Sequence, residues 1–191
     1  MRLIALLLAA AVIASPALPG HAQPADAEAP PQPAALDQLF DDLRHQPRPA
    51  AANRIARQIW AHWTDSGSAT INLLMERANK AMQDKKHPLA EDLLTQVTVL
   101  APDYAEGWNR RATLYFVMSD YGRSISDIER TLQIEPRHFG ALSGLGVILA
   151  RTGAERKALE AWYKVLEIYP ANRDAQKAVV DLEEKLAGRA S

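Results

Sequence analysis

Val99-Leu100-Ala101-Pro102, Leu132-Gln133-Ile134-Glu135-Pro136 and Leu166-Glu167-Ile168-Tyr169-Pro170 are one pattern written three times, and successive prolines stand 34 residues apart. Each apolar stretch reads as the end of a helix. Proline ends it because it offers no backbone donor and pushes the preceding residue away from helical angles. A fixed period of this length marks a chain built from stacked supersecondary units. Composition agrees: alanine and leucine dominate, and aromatic residues make up only 6% of the chain, which favours helix over strand. With 48% apolar residues the chain can bury a core.

A 34-residue period closing on proline resembles the tetratricopeptide-repeat family, in which each period is a helix–turn–helix. That family places a large residue on the first helix, with small or apolar residues three, four and seven positions later. The corresponding residues here are Leu74, Arg77, Ala78 and Ala81, then Trp108, Arg111, Ala112 and Tyr115, then Leu142, Leu145, Gly146 and Leu149. Second helices want alanine and a large residue four later, which Ala90 with Leu94, Ser124 with Ile128 and Ala158 with Trp162 supply. Residues three and four apart share one helix face, so each set builds a buried stripe. The resemblance covers residues 71–170. It implies an all-α, right-handed α-solenoid with repeats at 71–104, 105–138 and 139–172, and a solvating C-terminal helix over 173–187. Asn172 is placed to cap that helix, whose stripe is Ala175, Ala178, Val179, Leu182 and Leu186. Turns between paired helices are expected at Lys85–Pro88, Asp120–Gly122 and Thr152–Ala154. Arg77 and Arg111 stand where the family prefers leucine, so their stems should lie along the core edge with the guanidinium groups in solvent.

Residues 36–69 read as a degenerate N-terminal helical pair, Leu36–His45 and Ala50–Thr64, acting as a terminal repeat; a separate hairpin packed on the edge is the alternative. Upstream, Arg2 and the apolar run Leu3–Ala14, followed by Ser15, Pro16, Pro19 and Gly20, have the layout of an export signal cut after Ala22, with Ala17 as the second choice. The run is too short to span a bilayer, so no membrane span is expected in the mature chain. Gln23–Ala35, rich in proline and alanine, reads as a linker. These features point to a periplasmic protein, and without cysteine it is not a lipoprotein.

The absence of cysteine also excludes disulfides, thiol nucleophiles and thiolate metal sites. His21, His45, His62, His87 and His138 show no zinc-ligand spacing, and His62, between Trp60 and Trp63, reads as a half-buried packing residue. Asp41-Asp42 and Glu183-Glu184 read as solvated helix faces rather than converging carboxylates. A net charge of −1 argues against nucleic acid as a partner. No enzyme activity, cofactor or metal is expected. The family resemblance implies instead a concave groove lined by the first helices. Its residues here would be Asn72, Met75, Glu76 and Asn79, then Asn109, Arg110 and Thr113, then Ser143, Val147 and Arg151, with Gly140 and Gly144 leaving room for ligand bulk. A carboxylate clamp is not expected, because Met75 and Asn109 stand where it would need lysine; Asn79 alone fits. The implied partner is a protein or extended peptide segment, held by a chaperone-like adaptor or scaffold. The competing reading is a structural subunit that forms an oligomer or packs into an envelope complex, which Trp60, Trp63 and Tyr169 would support as exposed aromatics.

Overall fold

The structure, a computed structural model, describes residues 32–188, so the export signal and most of the linker lie outside the described residues. These are helical throughout: α1 Gln32–His45, α2 Pro49–Thr64, α3 Ala69–Gln83, α4 His87–Leu100, α5 Ala105–Val117, α6 Tyr121–Ile134, α7 Phe139–Arg151, α8 Glu155–Ile168 and α9 Arg173–Gly188. Helix α1 begins at Gln32, inside the segment expected as linker: the sequence from Pro33 to Leu36 tolerates a first helical turn, where a proline loses no intrahelical bond.

The backbone itself repeats every 34 residues. Lys85, Ser119 and Gly153 take positive φ at the ends of α3, α5 and α7. In each turn the next amide reaches back five residues, Lys86 to Ala81, Asp120 to Tyr115 and Ala154 to Leu149, all at 2.8 Å. This is the left-handed closure that satisfies the last carbonyls of a helix, and glycine adopts it most easily. The middle turn lies two residues earlier than expected, because Asp120 caps α6 by accepting from the Arg123 amide while Gly122 sits inside the helix. Only Gly153 meets the left-handed requirement without a Cβ. Ser119→Gly is therefore expected to stabilise the protein by about 0.5–1 kcal/mol, read as a higher urea midpoint.

Helices α3 and α4, α5 and α6, and α7 and α8 pair, and α4 then packs on α5, α6 on α7 and α8 on α9. Small residues sit where paired helices touch: Ala78, Ala90, Ala112, Ser124 and Ala158 are buried, and the Ser124 hydroxyl donates to the Ala112 carbonyl at 2.8 Å. Gly146 is the tightest of these, since a Cβ there would lie 2.7 Å from Nε1 of Trp162. Gly146→Ala is expected to cost about 1–3 kcal/mol of unfolding free energy, measured by urea titration. Asn172 caps α9 by accepting the Ala175 amide at 3.0 Å, and Ala175, Val179 and Leu182 face inward.

Arg111 departs from the sequence expectation. Its guanidinium is not in solvent: the side chain is 15% exposed and forks onto Asp127 of α6 at 2.7 and 2.9 Å. A further bond at 3.0 Å reaches Thr98 of the preceding repeat. An acidic residue across the helix pair has pulled the charge inward, a partner that a leucine-based pattern does not anticipate. Arg77 has no such partner opposite and remains exposed, as expected.

The N-terminal pair does not extend the stack as a terminal repeat. Besides each other, α1 packs mainly on α8 and α2 on α5. Together α1 and α2 form a strap across the starts of the later repeats. The Tyr104 hydroxyl, before α5, donates to the Thr64 carbonyl at 3.1 Å. Trp63 stacks flat on His138, before α7, with ring centroids 4.0 Å apart. Tyr169, before α9, bonds to Asn53. Arg137 ties α1 down by pairing with Asp37 at 2.7 Å and covering the Phe40 ring. The strap shares a core with α7, α8 and α9, built on Phe40, Leu43, Ala52, Ile59, Trp63, Leu142, Trp162 and Val179.

Candidate functional site

The inner helices α3, α5 and α7 present a face made of alternating amides, hydroxyls and gaps. Two adjoining hollows lie along it. One is bounded by Asn79, Met82, Gln83 and Arg110, between α3 and α5. The other, of about 190 Å³, lies between α5 and α7 over a floor from α6; Asn109, Thr113, Phe116, Ile128, Gly144 and Val147 are among its walls.

A buried polar cluster underlies this face. Glu106 is fully buried, and its carboxylate accepts from Arg110 at 2.8 Å and from the Asn109 amide at 2.7 Å. His138, also buried, accepts the Ala141 amide at Nδ1 at 3.1 Å, capping α7. That bond leaves the proton on Nε2, which faces Glu106 at 3.3 Å. Burial, and then the charge of Glu106, push the Tyr104 phenol well above its ordinary pKa. Two buried donors here lack a partner among the described residues, Nε of Arg110 and Nε1 of Trp63.

Several residues expected in the groove lie elsewhere. Met75 is 6% exposed and packs into the core of the first repeat with Ile71, Ala78 and Leu94. Asn72 pins the turn before α3, accepting from the Ser66 hydroxyl at 2.6 Å and amide at 3.0 Å. Glu76 borders a different hollow, on the open end of the array, with Leu73, Arg77, Lys80 and Leu89. Ser143 spends its hydroxyl on the Phe139 carbonyl at 2.7 Å. Asn79 and Arg110 share one groove hollow, and Asn109, Thr113 and Val147 the other. Arg151 lies over the Phe116 ring at 4.8 Å, at the margin of the second hollow. The space at Gly140 is filled by the chain itself: a Cβ there would lie 2.7 Å from the Trp60 ring. Only Gly144 keeps its gap open, with Ile128 at 3.6 Å from the position of a Cβ.

His62 is exposed; Trp63 is the buried member of that stretch, with Trp60 partly buried beside it. Trp63 and Tyr169 are core residues, so they form no surface patch. Sequence reasoning missed Glu106 and His138. The signal available was position: His138 stands 34 residues before Asn172, in the slot that caps an inner helix. Among the described residues no group of His, Asp and Glu is arranged to hold a metal, and no helix is long and apolar enough to cross a membrane.

Comparison with known proteins places this geometry among helical repeats. The chain is 56% identical over 153 residues to a TPR repeat-containing protein of Rhizobium etli, covering 80% of this chain and 75% of that one. It is 31% identical over 119 residues to small glutamine-rich tetratricopeptide repeat-containing protein 2 of Saccharomyces cerevisiae, covering 59% of this chain but only 34% of the yeast protein. Among solved structures, the first TPR domain of Spaghetti bound to an HSP90 peptide superposes with a TM-score of 0.58 at 23% identity, over 61% of this chain and 93% of that domain. No family model matches the chain.

Proposed function

The chain belongs to the tetratricopeptide-repeat family, and on that premise we propose that it is a non-enzymatic adaptor holding an extended segment of a partner protein along α3, α5 and α7. The observation that carries this is the pair of adjoining hollows on one face, from Asn79 and Arg110 to Thr113 and Val147. Their walls offer amides and hydroxyls that suit a peptide backbone beside apolar gaps that suit side chains. The likeness to a domain solved with an HSP90 peptide supports the same reading. Arg2, the apolar run Leu3–Ala14 and the small residues after it support a chaperone-like role in the bacterial periplasm, which cell fractionation of the tagged full chain tests.

Site-specific photocrosslinking in cells tests the groove. A benzophenone side chain at the exposed Thr113 is expected to capture a discrete partner, while one at Gln96, on the exposed face of α4, captures none. Adducts only from Gln96, or none from either, would overturn the reading. A second reading, self-association through the open end of the array, is favoured by Leu73 and Leu89, which stand 46% and 49% exposed beside Glu76 and Arg77. Sedimentation decides it: that reading requires a dimer that Leu89→Lys dissociates.

A further inference from the structure

We propose that the hollow between α5 and α7 is a pocket for one large apolar side chain of the bound segment, with Arg151 beside it reading an adjacent carboxylate. This deepens the groove reading and rests on it.

Size and lining define the first element. About 190 Å³ walled by Ala112, Phe116, Ile128, Val147 and Ile148, with Gly144 leaving the opening, accommodates a leucine or phenylalanine side chain and offers a lysine or aspartate nothing to pair with. The polar groups at its edge are already committed. Asn109 donates to Glu106, the Thr113 hydroxyl donates to the Asn109 carbonyl, and Ser124 is bonded to Ala112. Trp60 closes the end at Gly140, so the pocket is bounded along α7 as well as across it.

Charge defines the second element. Of the arginines along this face, Arg110 is neutralised by Glu106. Arg151 has no carboxylate partner among the described residues. Its guanidinium lies over Phe116, a pocket wall, 4.8 Å from the ring centre, and its nearness holds the Tyr121 phenol below its ordinary pKa. The cation thus rests on the Phe116 ring at the margin of the apolar hollow, with its donors left for a ligand. The ligand it complements carries an acidic group next to its apolar anchor.

The test titrates the ¹⁵N-labelled full chain with acetylated, amidated nonapeptides of serine and glycine. These carry Leu, Phe, Ser or Lys at the centre and Glu or Gln beside it; a further Gln peptide ends in a free carboxylate. Leu and Phe peptides are expected to bind about tenfold or more tighter than Ser or Lys peptides and to shift the Gly140 and Gly144 amides. Replacing Glu by Gln should weaken binding about two- to fivefold at low salt, and Arg151→Ala should erase that difference. Recovery by the free-carboxylate peptide would assign Arg151 to a chain end rather than to an acidic side chain. Gly144→Leu fills the pocket from a helical position with ordinary φ, and should abolish the preference while keeping helicity and melting temperature. Val147→Ala widens the pocket and should move the preference from Leu toward Phe. Equal binding of Ser and Leu peptides, or an unaffected Gly144→Leu variant, overturns the pocket. If shifts then appear only around Asn79 and Arg110, the groove survives and the pocket falls; if no amide of α3, α5 or α7 responds, both fall.

Discussion

Asp127→Ala is expected to lower the unfolding free energy by about 3–5 kcal/mol, among the largest effects of any single substitution in the chain. The carboxylate is 6% exposed and receives both arms of the Arg111 fork. Removing it strands a guanidinium between Trp108, 4.9 Å from its centre, and Thr98 of the preceding repeat. The chain holds its own control. One period later, the residues at the places of Thr98, Arg111 and Asp127 are Leu132, Leu145 and Ala161, an apolar solution to the same packing problem. Thr98→Leu, Arg111→Leu and Asp127→Ala combined copy that solution into the middle repeat. The triple variant is expected within about 1 kcal/mol of the original, because replacing a whole buried ion pair by packed side chains is often close to neutral. Urea titration of the single and triple variants decides it. A triple variant as unstable as Asp127→Ala would mean that the pair supplies net stability rather than satisfying its own buried charge.

The repeats were legible because their signals are local and recur. Proline at 102, 136 and 170 and the small residues at 78, 112 and 146 act within one helix pair, so spacing alone exposes them. Arg111 was misread because its partner is sixteen residues away on the next helix, and a partner on a neighbouring element leaves no mark on a helix's own periodicity. Groove residues were assigned by repeat position, and Asn79, Thr113 and Val147 border the two hollows of that face. Repeat position failed for Met75, whose turn of α3 faces the core of the first repeat. The strap was the least legible part. Phe40 and Leu43 of α1, and Ala52, Ala56, Ile59 and Trp63 of α2, make stripes like those of any repeat. Nothing in such a stripe states which surface it will cover. What decides the matter is long-range fit: Gly140 is open enough for Trp60, and His138 flat enough for Trp63.

Trp63→Ala tests that fit, with an expected loss of about 3–5 kcal/mol. Trp63 is the pivot of the strap. Its ring stacks on His138, lies 4.9 Å from Phe139, and meets Trp60 edge-on at 5.2 Å. His138 in turn caps α7 and faces Glu106, so the indole also roofs the polar cluster beneath the groove face. Truncation opens a cavity over two buried polar groups, and water entering there competes with the cap of α7. Native-state hydrogen exchange should therefore show faster exchange at the Ala141 amide, while the amides of α3 and α4, which the ring does not touch, stay protected. Trp63→Phe separates packing from polarity. It keeps an aromatic face for His138 and removes a buried Nε1 that has no partner among the described residues, so it should cost only about 1–2 kcal/mol. If Trp63→Ala instead unprotected all nine described helices together, the strap and the repeats would be one cooperative unit, with α1 and α2 as necessary to the fold as the repeats they cross.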